Sequence, residues 1–169
     1  MNWPYKVPCG IIDTMSVRVS QPEEHSWEYW TGKNTYTLKY EVVCAIGQPR
    51  IIWLSGPWKG NTSDSTIASE SGIKICLEGE ALLADKIYKG DLVSFIVPWT
   101  GAYASLCADS KAYNFVVYSA RQTVERVIKR LKDFGMFNMR WRMSSLLHWK
   151  CTISCGKLTN LFLIFEPLG

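Results

Sequence analysis

Between Tyr36 and Ile46 the chain alternates. Tyr36, Leu38, Tyr40, Val42, Cys44 and Ile46 fall on one side of an extended strand, with mostly polar residues between them. A segment with that period has one face to bury, which calls for a sheet covered on that face. Gly47-Gln48-Pro49 turns the chain, and Arg50 to Leu54 returns as its hairpin partner. Upstream, Gly10 to Val19 is rich in β-branched residues and is closed by Ser20-Gln21-Pro22, so three antiparallel strands in a row are expected. Met15, Val17 and Val19 share one face of the first strand, and Thr14, Ser16 and Arg18 the other. Asp13 has the parity of the apolar face. An unpaired buried carboxylate is costly, so Asp13 should stand at a strand end, be paired, or be bound to a cation.

The remaining elements follow from punctuation and period. Glu23 to Asn34 is polar and aromatic and reads as a loop. Ser55-Gly56-Pro57 is expected to stop the sheet, and the following GNTSDS to open a helix capped by Ser63 or Asp64. Leu82-Leu83-Ala84 reads as a short buried strand ending on Asp85. Acids just past the carboxyl end of a core strand are where α/β sheets place their chemistry, although many only begin turns. Asp91 to Trp99 is expected as a fifth strand, and Gly101 to Asn114 as a loop into a long helix. In that helix, from Tyr118 to Lys132, Ala120, Val124, Val127 and Leu131, with Phe134 beyond, fall on one side. Tyr118, Arg121, Glu125, Lys129 and Lys132 fall on the other, within an arc of about 80°. Ser144 to Phe165 looks helical and largely apolar, a closing layer against the sheet. This order predicts an α/β single domain over 1–169: a mixed sheet of three antiparallel strands plus two further strands, flanked by helices.

Composition narrows the function classes. With 169 residues, 47% hydrophobic and 20% charged, the chain is globular and one domain's worth. The net charge of +4 is modest, but Arg121, Arg126, Lys129, Arg130 and Lys132 crowd one helix, which suits a polyanion such as nucleic acid or a merely solvated face. Six dispersed cysteines (Cys9, Cys44, Cys76, Cys107, Cys151, Cys155) form no disulfide framework and point to reduced, mostly buried thiols. His148, Cys151 and Cys155 share a helical face, but a fourth zinc ligand is not apparent. The start, MNWPYKVPCG, has no signal-peptide pattern, and Leu161 to Phe165 is too short to span a membrane, so an intracellular protein is expected.

Four acids stand out by position: Asp13 in the first strand, Asp64 at a helix start, Asp85 at a strand end and Glu125 on the basic helix. Hard divalent cations take carboxylate oxygens, and paired ions serve phosphoryl transfer when three or four acids converge from different elements. Here the residues carry a resemblance. Tyr118, Arg121, Glu125 and Lys132 form Y-x2-R-x3-E-x6-K, which resembles the signature around the catalytic glutamate of a large group of insertion-sequence transposases. GIIDTMSVRVSQPE, WLSGPWKGNTSDSTIA and LLADKIYKGD resemble, in order, the first-aspartate strand, the second-aspartate segment and the "DkgY" segment of Harbinger-type DDE transposases. VERVIKRLKDF, Trp141-Arg142 and TNLFLIFEPL continue the similarity over nearly the whole chain.

The resemblance implies the ribonuclease-H-like fold and a metal-dependent nuclease or transposase. Such a domain hydrolyses, and in a joining step transfers, DNA phosphodiesters with two Mg²⁺ or Mn²⁺ ions. It carries Asp13, Asp64, Asp85 and Glu125 over as catalytic metal ligands and leaves open which of Asp64 and Asp85 is the primary second one. Arg121 and Lys132 become candidates to hold DNA phosphates, with Lys129, Arg126 and Arg130 adding backbone affinity; Arg121 could instead orient Glu125. DNA is the implied partner, in the nucleus, with specificity supplied by a separate DNA-binding protein; a homo-oligomer is compatible, a membrane is not implied. The pattern departs at Asp13-Thr14-Met15 (D-G-T in the family), at Ser63 (histidine) and at Ile87 (glycine), while all four acids are present. Against the family's pattern, the helix-turn-helix module that precedes this domain is expected to be missing, as in a truncated copy, a fragment or a subunit relying on another protein. The alternative reading is a non-catalytic DNA- or protein-binding relic of a transposase.

Overall fold

In the computed structural model, which describes residues 6–32, 34–77, 79–101 and 108–168, the alternating segment becomes the second strand of the sheet's centre. β1 (Pro8–Arg18) and β3 (Thr35–Ala45) pair antiparallel from Gly10↔Ala45 to Arg18↔Thr37. β4 (Ile51–Lys59) pairs antiparallel with β3, and the short β2 (Trp30–Thr31) joins the amino-terminal end of the same edge. On the other side β5 (Ala81–Leu83) runs parallel to β1, with Ile11 opposite Leu83, and β6 (Phe95–Ile96) runs parallel to β5. The result is a mixed six-stranded sheet in the order β2–β3–β1–β5–β6, with β4 also on β3. It is consistent with the expected ribonuclease-H-like fold.

Helices cover both faces. α3 (Ala108–Lys132) and α4 (Ser145–Phe165) pack on the face carrying Ile11, Met15, Val17, Leu38, Tyr40, Val42 and Cys44. Val117, Val124, Val127, Ile128 and Leu131 of α3 supply that layer, as the helical period predicts. The opposite face carries Ile12, Val43 and Leu82 beneath α2 (Asp64–Glu70) and the 3₁₀ turns Ile73–Leu77 and Lys86–Tyr88. Among the described residues no helix is long and apolar enough to cross a membrane.

Four expectations are corrected. The presumed loop 23–34 holds a single helical turn, α1 (Ser26–Tyr29), and β2. Ser55-Gly56-Pro57 does not stop the sheet: β4 runs on to Lys59 because the pairing shifts between Lys39 and Glu41, a bulge that absorbs the extra residues opposite Tyr40. Gly56 is needed there, since it sits at φ 146° and a Cβ would come within 2.6 Å of the Tyr40 ring. The fifth expected strand shrinks to Phe95–Ile96, because Asp91 Oδ1 accepts hydrogen bonds from the Val93 and Ser94 amides and coils the chain just before it. The long helix starts at Ala108, inside the expected loop, of which residues 102–107 (including Cys107) lie outside the described residues.

α4 is a closing layer of an unexpected kind. Its buried residues are His148, Thr152, Cys155, Gly156, Thr159 and Leu163, whereas Leu158, Leu161, Phe162, Ile164 and Phe165 are exposed. Polar side chains on its inner face hold it down. Asn160 donates to the Ile51 carbonyl and accepts from the Ile51 amide, both at 2.8 Å, which satisfies backbone groups on the outer edge of β4. The Tyr40 hydroxyl lies 2.6 Å from His148 Nδ1, and Thr152 Oγ1 donates to the His148 carbonyl at 2.8 Å. His148, Cys151 and Cys155 therefore do not gather as zinc ligands; the histidine is a core residue ringed by Tyr40, Phe137 and Trp141. The five described cysteines are free thiols; Cys44 and Cys155 are buried, Cys9 and Cys151 half-buried, and Cys76 is exposed.

Candidate active site

The register of the parallel pair positions two of the acids. Ile11 faces Leu83 across β1 and β5, so Asp13 and Asp85, each two residues further on, lie at the same level of adjacent strands. Asp13 has the parity of Ile11, Met15 and Val17 and therefore looks toward α3, as the alternation predicts. Asp85 stands two residues past the end of β5, not at its last position as expected, and caps the 3₁₀ turn that follows, its Oδ1 accepting from the Lys86 amide at 2.6 Å. Turn-capping and a place beside Asp13 are the same geometric fact.

α3 brings the third acid. Arg121 reaches Asp85 Oδ1 with Nη1 at 3.7 Å and Glu125 Oε1 with Nη2 at 3.9 Å, so one guanidinium spans the strand end and the helix. Its placement differs from the helical-wheel expectation. Tyr118, Glu125 and Lys129 are exposed as expected, but Arg121 is only 8% exposed. It stands at the margin of the polar arc next to Val117 and Ile128, and that margin is covered where α3 lies across the sheet. Arg126 is exposed on the same helix and Lys132 is partly buried at its end.

Asp64 comes from the opposite face. It is the first residue of α2, while Ser63 is the cap: Ser63 Oγ accepts from the Thr66 amide at 3.1 Å. Asp64 Oδ1 instead accepts from Lys39 Nζ at 3.0 Å, and Lys39 also donates to the Thr62 carbonyl at 2.7 Å.

The electrostatics tie the set together. Burial pushes the Asp13 carboxyl above the usual aspartate range, and the nearby charges of Glu125 and Asp64 push it the same way. The Thr14 amide, donating to Oδ1 at 2.8 Å, and the Arg121 guanidinium pull it back. Asp13 thus feels Asp64, Glu125 and Arg121 at once. Among the described residues, however, no group of three or more His, Cys, Asp or Glu is drawn together closely enough to hold a metal ion. The acids are neighbours, with Lys39 and Arg121 drawn onto three of them.

Sequence reasoning missed a second layer beneath the site. Lys39 and Glu41 occupy the face of β3 that the alternation assigns to polar residues, yet Glu41 is 0% exposed. Its Oε2 accepts from Trp53 Nε1 at 2.9 Å, its Oε1 is buried without a partner, and burial raises its pKa. Cross-strand Thr14 lies beside it, with Oγ1 3.4 Å from the Tyr88 hydroxyl. The available signal was α2 itself, since a central strand of an α/β sheet is covered on both faces.

Donor chemistry suits a hard divalent cation: four carboxylates from β1, α2, the β5 end and α3, with anionic crowding felt at Asp13. Residues 12–160 match the DDE superfamily endonuclease family, and the chain belongs to it. Over 147 residues it is also 26% identical to a protein of Microchaete diplosiphon described as the probable transposase of insertion sequence element IS702. That match covers 84% of this chain and 52% of the relative, so the chain spans about half the relative's length. No solved structure matches it.

Proposed function

We propose that this chain is a divalent-metal-dependent DNA endonuclease domain of transposase type, in which Asp13, Asp85 and Glu125 are the principal metal ligands and Asp64 an accessory one. The observation that carries the proposal is the placement of Asp13 and Asp85 at one level of two parallel strands, with Arg121 linking Asp85 to Glu125. That linkage also favours Asp85 over Asp64 as the second ligand, because Asp64 starts a helix on the other face and is engaged by Lys39. Mg²⁺ or Mn²⁺, as a pair of ions, would supply Lewis-acid activation at the scissile phosphate.

The chain's own residues have separable tasks. Asp13 would present its ligand oxygens from within β1, and Asp85 from just past the carboxyl end of the neighbouring β5. Glu125 comes from α3, exposed on its polar arc yet close enough for its charge to be felt at Asp13. Arg126, Lys129 and Lys132 lie along the same helix and would hold phosphates of the DNA backbone, an affinity that weakens steeply with salt. No described element presents an obvious base-reading surface, so sequence preference would come from a separate DNA-binding protein. Strand transfer, the Harbinger-type affinity and a nuclear location belong to the same proposal and rest on the sequence resemblance.

A second reading, a non-catalytic binding relic, is favoured by one observation: the four acids do not close into a ligand group. Nicking of supercoiled plasmid in Mg²⁺ or Mn²⁺, run beside Asp13→Asn and Glu125→Gln, separates the two. Cleavage that needs metal and is lost in both variants supports the endonuclease. Absence of both cleavage and metal-induced thermal stabilisation supports the relic.

A further inference from the structure

Two cations stand among the four acids, and the structure holds them in different ways. Lys39 makes true hydrogen bonds, to Asp64 at 3.0 Å and to the Thr62 carbonyl at 2.7 Å, and so fastens the start of α2 to β3. Arg121 does not. Its contacts to Asp85 and Glu125, at 3.7 and 3.9 Å, are longer than charge-assisted hydrogen bonds and form no two-pronged fork on either carboxylate. Its Nε is buried without a partner, although the residue is only 8% exposed. Burying a guanidinium with a donor unmet is unfavourable unless surrounding negative charge offsets it. That charge comes from Asp85, Glu125 and Asp13, the residues assigned to the metal.

We propose that Arg121 is the resident counter-ion of the metal-free site, holding Asp85 and Glu125 until a divalent cation takes them and then withdrawing from between them. The inference rests on the reading of these acids as metal ligands. It gives Arg121 a role as a positioning residue in the empty site, distinct from that of a phosphate clamp. The long, unforked contacts suit the task, because a tightly hydrogen-bonded fork would compete with the cation at every turnover. Arg121 and the incoming ion are mutually exclusive partners of the same oxygens, so removing the guanidinium strengthens metal binding while weakening the metal-free fold.

The test is the thermal midpoint of the protein titrated with MgCl₂ or MnCl₂, for wild type, Arg121→Gln and Arg121→Lys. Arg121→Gln is expected to melt lower than wild type without metal. It should reach half its metal-induced stabilisation at a concentration about tenfold lower, the order expected when one unit charge is removed beside a divalent ion in a partly solvated site. Arg121→Lys should fall between the two. A metal response seen only in Arg121→Gln also supports the inference. If wild type responds to metal and Arg121→Gln needs the same or a higher metal concentration for half its stabilisation, Arg121 is an ordinary structural partner; the inference fails and the metal-ligand reading stands. No response in any of the three proteins overturns both. Should Arg121→Gln not fold, Arg121→Lys decides in the same way, by a half-stabilising metal concentration that falls or does not.

Discussion

Acidification should destabilise this protein through one residue far from the acids. His148 is 0% exposed, and its neighbours are the Tyr40 hydroxyl, Thr152 and the rings of Phe137 and Trp141, with Nε2 unpartnered. Burial lowers its pKa from 6.5 to about 4. The sign follows from which state takes the proton. Below pH 6.5 the unfolded chain protonates this imidazole while the folded chain refuses it until about pH 4, so stability falls as pH falls across that window. At roughly 1.4 kcal/mol per pH unit once the unfolded form is protonated, the loss between pH 7 and pH 5 is about 2 kcal/mol. Asp13 and Glu41 work in the opposite direction, because their raised pKa values let the folded state take protons first as pH falls. Wild type alone would therefore understate the effect. The assay is urea unfolding at pH 7 and pH 5 for wild type and His148→Gln, in which the contributions of Asp13 and Glu41 cancel. His148→Gln should be less stable at pH 7, having lost its contact with Tyr40, yet should lose about 2 kcal/mol less than wild type on going to pH 5. Equal losses in the two proteins would show that His148 titrates normally inside the fold, which would refute the reasoning.

Other perturbations test other links. Glu41→Gln keeps an acceptor for Trp53 and removes a carboxylate that burial disfavours; it should melt above wild type at pH 8, with the advantage shrinking toward pH 5, as followed by thermal unfolding. Ser63→Ala removes the cap of α2 and should cost about 1 kcal/mol in chemical denaturation without abolishing any metal response. Asp13→Asn and Glu125→Gln should each reduce metal-dependent plasmid nicking by about a thousandfold or more, while circular dichroism shows the fold retained. Asp64→Asn should reduce it far less, since Asp64 is engaged by Lys39 and lies off the β1–β5 pair.

What the sequence made legible was whatever a period could encode. The alternation in β3 and the 3.6-residue stripe in α3 gave the central strand, the long helix and the buried face of each, and the parity of Asp13 gave the direction of its side chain. What stayed hidden depended on which surface meets which. Lys39 and Glu41 look like a solvated strand face until α2 is laid over them. Arg121 looks like part of an exposed cationic arc until α3 is laid across the sheet, which buries one margin of that arc and leaves the other open. α4 closes on the sheet as expected, but which of its faces turns inward was hidden for the same reason. Its composition is largely apolar, so only docking against β4 reveals that His148, Thr152 and Asn160 form the inner, hydrogen-bonded side, with Thr159 buried beside them.

The site has the same division of labour. Two of its acids are fixed by backbone register: Asp13 and Asp85 stay level as long as Ile11 pairs with Leu83, and a slip of one residue in β5 would turn Asp85 to the other face. Glu125 is fixed by rotation alone. α3 has no register with the sheet, and Val117, Val124, Val127, Ile128 and Leu131 set its angle by packing. A guanidinium one helical turn before Glu125 and reaching Asp85 is the direct link between those two kinds of constraint. That is why an arginine at position 121, and not another basic residue further along the helix, couples α3 to the end of β5. The exposed cations at 126 and 129 lie further along the same helix, where under the proposed function they would meet DNA phosphates.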